Sequence, residues 1–235
     1  MGLMCTSFTI IPSEPATNNT VAVASPLIAD STFNSTTSTS AELYHSVHLN
    51  EYGLSIEAFN YAWKGYQYLL SRKMISRENY LTICDFSQSS SKKRLYIIDV
   101  VNNKLIRNTY VAHGRNSGSE YATQFSNKPE SLQSSLGFYV TQGTYIGAHG
   151  LSLRINGVDP GYNDNALERS IVIHGAAYVD EARAKQGVFM GRSFGCPAVS
   201  QKESTEIIST IKNGTCLFIY HPSRNYLLKS KILNA

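Results

Sequence analysis

A mainly β domain, with a helix on its N-terminal side and one helix after a glycine-marked loop, is the fold this sequence predicts. Three observations carry the prediction. From Leu95 onward, short runs rich in β-branched and aromatic residues alternate with turn residues. Before them, Ile56, Phe59, Trp63, Tyr66 and Leu70 recur at three- and four-residue steps, the period of a helix with one buried face. Late in the chain, Ile207, Ile208 and Ile211 repeat that period.

Residues 1–40 end in the polar run Ser31-Thr32-Phe33-Asn34-Ser35-Thr36-Thr37-Ser38-Thr39-Ser40, which cannot bury a core. They read as a tether or, given Val21-Ala22-Val23-Ala24, as a degenerate export segment. Residues 41–235 then form one domain. Ser55 is placed to cap the first helix, and Trp63 and its neighbours read as core. Leu95–Val101 and Leu105–Ala112 read as a hairpin turning at Asn102-Asn103. Gly137–Gln142 and Leu151–Ile155 are further strands. Ile171-Val172-Ile173 is a buried strand whose end leads into His174. The stretch from Gly175 to Val199 is loop-like. A helix starts at Ser200, with Ser200 and Glu203 as a capping box, and stops at Gly214. Cys216–Tyr220 is a last strand.

Composition excludes several classes of function. The 235 residues are 42% hydrophobic and include 15 tyrosines, enough for a core without metal or disulfide staples. Net charge is +4, with basic residues scattered, so there is no electrostatic footprint for nucleic acid. The densest basic run, Lys92-Lys93-Arg94, reads as a solvated turn. No apolar run approaches the ~18 residues of a membrane-spanning helix. The four cysteines include no CxxC pair, so neither a structural zinc site nor a disulfide scaffold is indicated, and no cofactor is implied. Cys84 and Cys216 fall in apolar runs and read as inert core thiols. Cys196 is different: glycine, serine and proline surround it.

The chemistry concentrates in Ile171-Val172-Ile173-His174-Gly175-Ala176 and Gly191-Arg192-Ser193-Phe194-Gly195-Cys196-Pro197-Ala198. A thiol at neutral pH is mostly protonated and needs a base or a positive field to become a nucleophile. A histidine held on a strand can take that proton and later return it to a leaving amine. The 22 positions between His174 and Cys196 suit a loop that leaves the sheet and folds back. Gly191 and Gly195 permit backbone geometries that direct amide N–H groups at a carbonyl oxygen. A bare or buried thiol and a merely satisfied histidine are the bland alternatives.

These segments resemble the murein L,D-transpeptidase catalytic domain family, and in particular its branch with HGA-Y-V followed by GRS-x-GCPA. Here those read His174-Gly175-Ala176-Ala177-Tyr178-Val179 and Gly191-Arg192-Ser193-Phe194-Gly195-Cys196-Pro197-Ala198. The likeness extends upstream through His113-Gly114-Arg115-Asn116-Ser117-Gly118, Phe125-Ser126-Asn127, Ser134-Ser135-Leu136-Gly137-Phe138-Tyr139 and His149-Gly150-Leu151-Ser152-Leu153-Arg154. The resemblance spans residues 50–222 and implies packed β-sheets with the Cys loop and the His strand meeting in a cleft. It implies a cysteine-dependent acyl transfer on peptidoglycan stem peptides, in the periplasm or cell envelope, through a thioester. An amine resolves the thioester in a transpeptidase, and water resolves it in an L,D-carboxypeptidase. Cys196 inherits the nucleophile's role and His174 the base's. Ser193, Phe194 and Gly195 fall where the family builds its oxyanion hole and backbone orienter. Better-known members place an arginine two residues after the cysteine, whereas this chain has Pro197-Ala198 there. Arg192, then Arg154, are the remaining candidates to hold a substrate carboxylate, with His149, Phe194, Gly175 and Asn127 as further substrate-binding candidates. Ser126, Asn127 and Tyr139 also suit loop or core roles. The competing functions are a peptidoglycan-binding module of the same fold without activity and a zinc hydrolase, which would need three ligands.

Overall fold

A computed structural model describes residues 33–190 and 192–235. Its elements are α1 (Phe33–Ser46), α2 (Ile56–Ser71), β1 (Tyr80–Asp85), β2 (Leu95–Asp99), β3 (Lys104–Thr109), β4 (Val111–Ala112), β5 (Gly137–Gly147), β6 (Gly150–Gly157), β7 (Val172–Ala176), α3 (Glu181–Lys185), β8 (Ala198–Ser200), α4 (Gln201–Ile211), β9 (Cys216–Tyr220) and α5 (Arg224–Lys229). The mainly β class is as the sequence predicts. The expected tether over residues 1–40 lies outside the described residues as far as residue 32, and from Phe33 the chain is helical. Leu43, Tyr44 and Val47 are buried, and α1 packs on α2, which accounts for its order.

The nine strands form one mixed sheet in the order β3-β2-β1-β9-β5-β6-β7-β8-β4. Pairs β1–β9 and β7–β8 are parallel and the others antiparallel. The two edge strands, β3 and β4, are joined in the chain by Tyr110 alone. The sheet therefore curls until its edges approach, and the packed sheets expected from the sequence are one nearly closed barrel. Arg107 of β3 reinforces that seam by pairing with Glu203 (2.9 Å) and Glu206 of α4.

Helix α2 lies on β1 and β9. Ser55 caps it by accepting from the Ala58 N–H at 3.1 Å, and Phe59, Trp63 and Tyr66 are buried, each worth roughly 1.5–3 kcal/mol. With α2 on one face and the barrel interior on the other, β9 is buried at every position, and β2 is buried throughout as well. That is why they read as continuous apolar runs rather than alternating ones. Cys84 and Cys216 are fully buried in this core.

Several sequence expectations change on folding. The hairpin strand ends at Asp99, not Val101, because the Asp99 carboxylate accepts from the Val101 and Asn102 N–H groups and turns the chain. Val111 and Ala112 leave that hairpin and pair with β8 across the seam. Arg94 is not in a solvated turn but fully buried, donating to the carbonyls of Val111 and Gln88 and to His113 Nδ1 at 2.8 Å. The capping box at α4 does not form: Ser200 makes no side-chain cap. Glu203 instead accepts from Arg107 and from Thr109 Oγ1 at 2.6 Å. Helices α3 and α5 fall in stretches without helical periodicity, and each is held by a side-chain cap, Asp180 and Ser223 respectively.

Candidate active site

His174 sits in the middle of β7, not at its end. The strand continues through Gly175 and Ala176, which pair with Val199 and Ser200 of β8. Glycine at 175 is required by close packing: a Cβ there would lie 2.7 Å from Ser204 Oγ of α4. Because His174 pairs with Ala198 on the parallel neighbour, Cys196 enters two residues upstream on the adjoining strand. The Cys196 sulfur accepts from the Val172 N–H at 3.5 Å, and its thiol donates to the Ser170 carbonyl at 3.7 Å. The sulfur is thereby held against the backbone of the strand that carries His174. They line one cleft of about 440 Å³ with Tyr145, His149, Arg169, Tyr178 and Arg192.

The loop carrying Cys196 is built by its own polar groups. Ser193 Oγ donates to the Cys196 carbonyl at 2.6 Å and accepts from the Gly195 N–H at 3.1 Å. Ser134 Oγ donates to the Gly195 carbonyl at 3.2 Å, and the Ser193 backbone bridges to Gly114 on the far side. Gly195 has φ +124°, a region L side chains rarely adopt, and a Cβ would stand 2.9 Å from the Gln133 carbonyl. Its amide N–H is engaged by Ser193 Oγ. Gly191 lies outside the described residues.

His174 Nδ1 contacts the Gly175 carbonyl at 2.9 Å. A carbonyl only accepts, so Nδ1 carries the proton and Nε2 is left with its lone pair. The ring is stacked on His149, with centroids 4.3 Å apart and planes 20° from parallel. Burial lowers the His174 pKa, with His149 adding to the effect and the Gly175 contact opposing it. Burial raises the Cys196 thiol, against the pull of the Val172 N–H and of Arg169. The resting pair is thus a neutral thiol and a neutral imidazole.

Of the residues singled out in the sequence, Cys196, His174, Ser193, Arg192, His149 and Phe194 come together around the cleft. Phe194 is two-thirds exposed, with the Arg115 guanidinium 5.5 Å from its ring. Arg192 donates to the carbonyls of Gly118 (2.7 Å) and Arg115 (3.2 Å), so part of its fork is held by the backbone. Arg154 is elsewhere: it stacks on Tyr145 at 4.3 Å and lines a neighbouring cavity. Asn127 is bound to Asp164 and Asn165 in a loop network beside a third cavity. Gly195 and Gly175 shape the backbone without lining the cleft. His113 is fully buried behind it. Arg169, Tyr145 and Tyr178 reach the cleft without having been singled out for it. For Arg169, the available signal was a cation three residues before β7, the buried strand that carries His174.

The L,D-transpeptidase catalytic domain family matches residues 50–220 of this chain. No curated protein matches it. Among solved structures, an L,D-transpeptidase from Mycobacterium smegmatis aligns at 10% identity and TM-score 0.37, over 61% of this chain and 59% of that one. An L,D-transpeptidase from Xylanimonas cellulosilytica aligns at 14% identity and TM-score 0.35, over 60% of each chain. The helical cell shape determining protein Pgp2 from Campylobacter jejuni aligns at 14% identity and TM-score 0.37, over 68% of this chain and 56% of that one. The chain thus spans less than two-thirds of the length of these solved structures.

Proposed function

The chain belongs to the L,D-transpeptidase catalytic domain family, and from that premise we propose that it is a cysteine-dependent acyl transferase acting on peptidoglycan stem peptides in the cell envelope. The observation that carries the reading is that the Cys196 thiol and the His174 imidazole line one cleft, with the sulfur held against the Val172 N–H of the strand that carries His174. In the first step His174 Nε2 takes the thiol proton as the sulfur attacks the carbonyl after the diaminopimelate L-centre of a tetrapeptide stem. The protonated imidazole then gives that proton to the departing D-Ala amine, leaving a thioester on Cys196. An amine from a second stem attacks the thioester, passes its proton to His174 and restores the thiol. Water in place of the amine gives L,D-carboxypeptidase activity. Among the described residues no helix is long and apolar enough to cross a membrane.

Intact-mass spectrometry of the protein incubated with a disaccharide-tetrapeptide tests this. The expected result is an adduct equal to the disaccharide-tetrapeptide less D-Ala, together with crosslinked dimers, both absent in Cys196→Ala. Release of D-Ala without dimers would move the assignment to the carboxypeptidase. Binding of muropeptide with neither adduct nor release would overturn the assignment in favour of a binding module.

A further inference from the structure

Arg169 is a cation without an anion. Its Nη1 donates to the Ser126 carbonyl (2.7 Å) and to Ser135 Oγ, and its Nη2 donates to Ser131 Oγ (3.1 Å) and the Gln133 carbonyl (2.6 Å). Every one of these partners is neutral, and among the described residues no carboxylate forms an ion pair with it. The side chain is half-buried and lines the cleft with Cys196. A Cβ built on Gly195 would lie 3.4 Å from its Nη2, which places the guanidinium against the residue preceding Cys196. Its chain neighbour Ser170 receives the Cys196 thiol.

We propose that Arg169 is a positioning residue whose uncompensated charge stabilises the Cys196 thiolate as it forms. The step transfers one proton from sulfur to His174 Nε2, so a neutral pair becomes an ion pair in a partly desolvated site. A fixed positive charge beside the sulfur favours that product state. The four-bond fork holds the charge still, so the site need not reorganise as the thiolate appears. The other titratable or charged groups facing Cys196 are His174, Tyr178, His149, Tyr145 and Arg192, with no carboxylate among the residues lining the cleft. Arg192 is exposed and tied to Gly118 and Arg115, whereas Arg169 is the cation that acts on the thiol against the effect of burial.

This inference rests on Cys196 as the nucleophile, and its test needs no peptidoglycan, so a failure of the substrate assignment leaves it standing. Alkylation by iodoacetamide is followed across pH in the full chain, with the label located at Cys196 by peptide mass mapping. Arg169→Gln is expected to move the alkylation midpoint to higher pH and to slow labelling at pH 7 by roughly three- to tenfold. Arg169→Lys, which keeps the charge and loses the fork, should recover most of that rate. Ser131→Asp sets a carboxylate against the intact guanidinium and should shift the midpoint upward as well, so the idea stays testable if the Gln variant does not fold. An unmoved midpoint in a folded Ser131→Asp or Arg169→Gln protein overturns the proposal. Equal shifts in the Lys and Gln variants overturn it too, since the fork would then matter and the charge would not.

Discussion

Burial acts in opposite directions on the two groups of the cleft, raising the Cys196 thiol and lowering the His174 imidazole. Neither is charged at rest, so in the proposed mechanism His174 takes the thiol proton during the reaction itself. Replacing His174 by Ala should slow acylation at neutral pH by roughly 10²–10⁴-fold. The rate should recover partly as pH rises and hydroxide ionises the thiol, and a pH series of acyl-enzyme formation checks this. The proposed mechanism needs neutral His174, whose pKa is lowered from 6.5, so the acid limb of kcat/KM should lie below pH 6.5. His149→Phe keeps a stacked ring without the imidazole nitrogens. It removes one lowering influence, so that limb should move upward; a limb that stays in place would show that His149 does not act on His174.

At the scale of the element, two glycines decide how the strand and the loop meet. Gly175→Ala would press a methyl group against Ser204 Oγ and the Gln201 Cα of α4, an overpacking expected to cost about 1–3 kcal/mol. Ser204→Gly in the same chain should restore part of that loss in denaturant titration, since it removes the nearest atom. Gly195→Ala faces a backbone obstacle, the Gln133 carbonyl, and a φ of +124°. Its stability cost should be of order 1–3 kcal/mol. Activity should fall further than stability explains, measured as acylation of the folded fraction, because the residue that must move is next to Cys196, the proposed nucleophile.

For the whole molecule, three partly or fully buried histidines, His113, His174 and His221, have lowered pKa values, each chiefly through burial. The folded state keeps them neutral while the unfolded chain takes up protons below about pH 6.5, so stability present above that pH is lost on acidification. His113 is held down to about 4 by burial and the adjacent Arg94, which amounts to about 3 kcal/mol lost between pH 6.5 and pH 4. The denaturation midpoint should fall over that range, and His113→Asn, which keeps an acceptor for Arg94, should flatten the slope. An equally steep slope in that variant would assign the acid sensitivity to other groups.

The sequence by itself determined what depends on neighbours along the chain. The α2 period from Phe59 to Tyr66, its Ser55 cap and the β9 run all follow from residues within a few positions of each other. So does the contrast between Cys196 in its glycine loop and Cys84 and Cys216 in apolar strands. The motifs around His174 and Cys196 also carried the family. Only the tertiary structure decided what depends on partners distant in the chain. It turned Arg94 from a surface charge into a buried donor to Val111, and drew Glu203 from its helix cap to Arg107. It sent Asn127 to a loop away from the cleft and brought Arg169 to the thiol. The physical reason is that periodicity and capping are short-range preferences worth about 1 kcal/mol or less. Closing a nine-stranded sheet on itself brings together charges and carbonyls that no local pattern links, and each buried polar group must then be satisfied where the fold has put it.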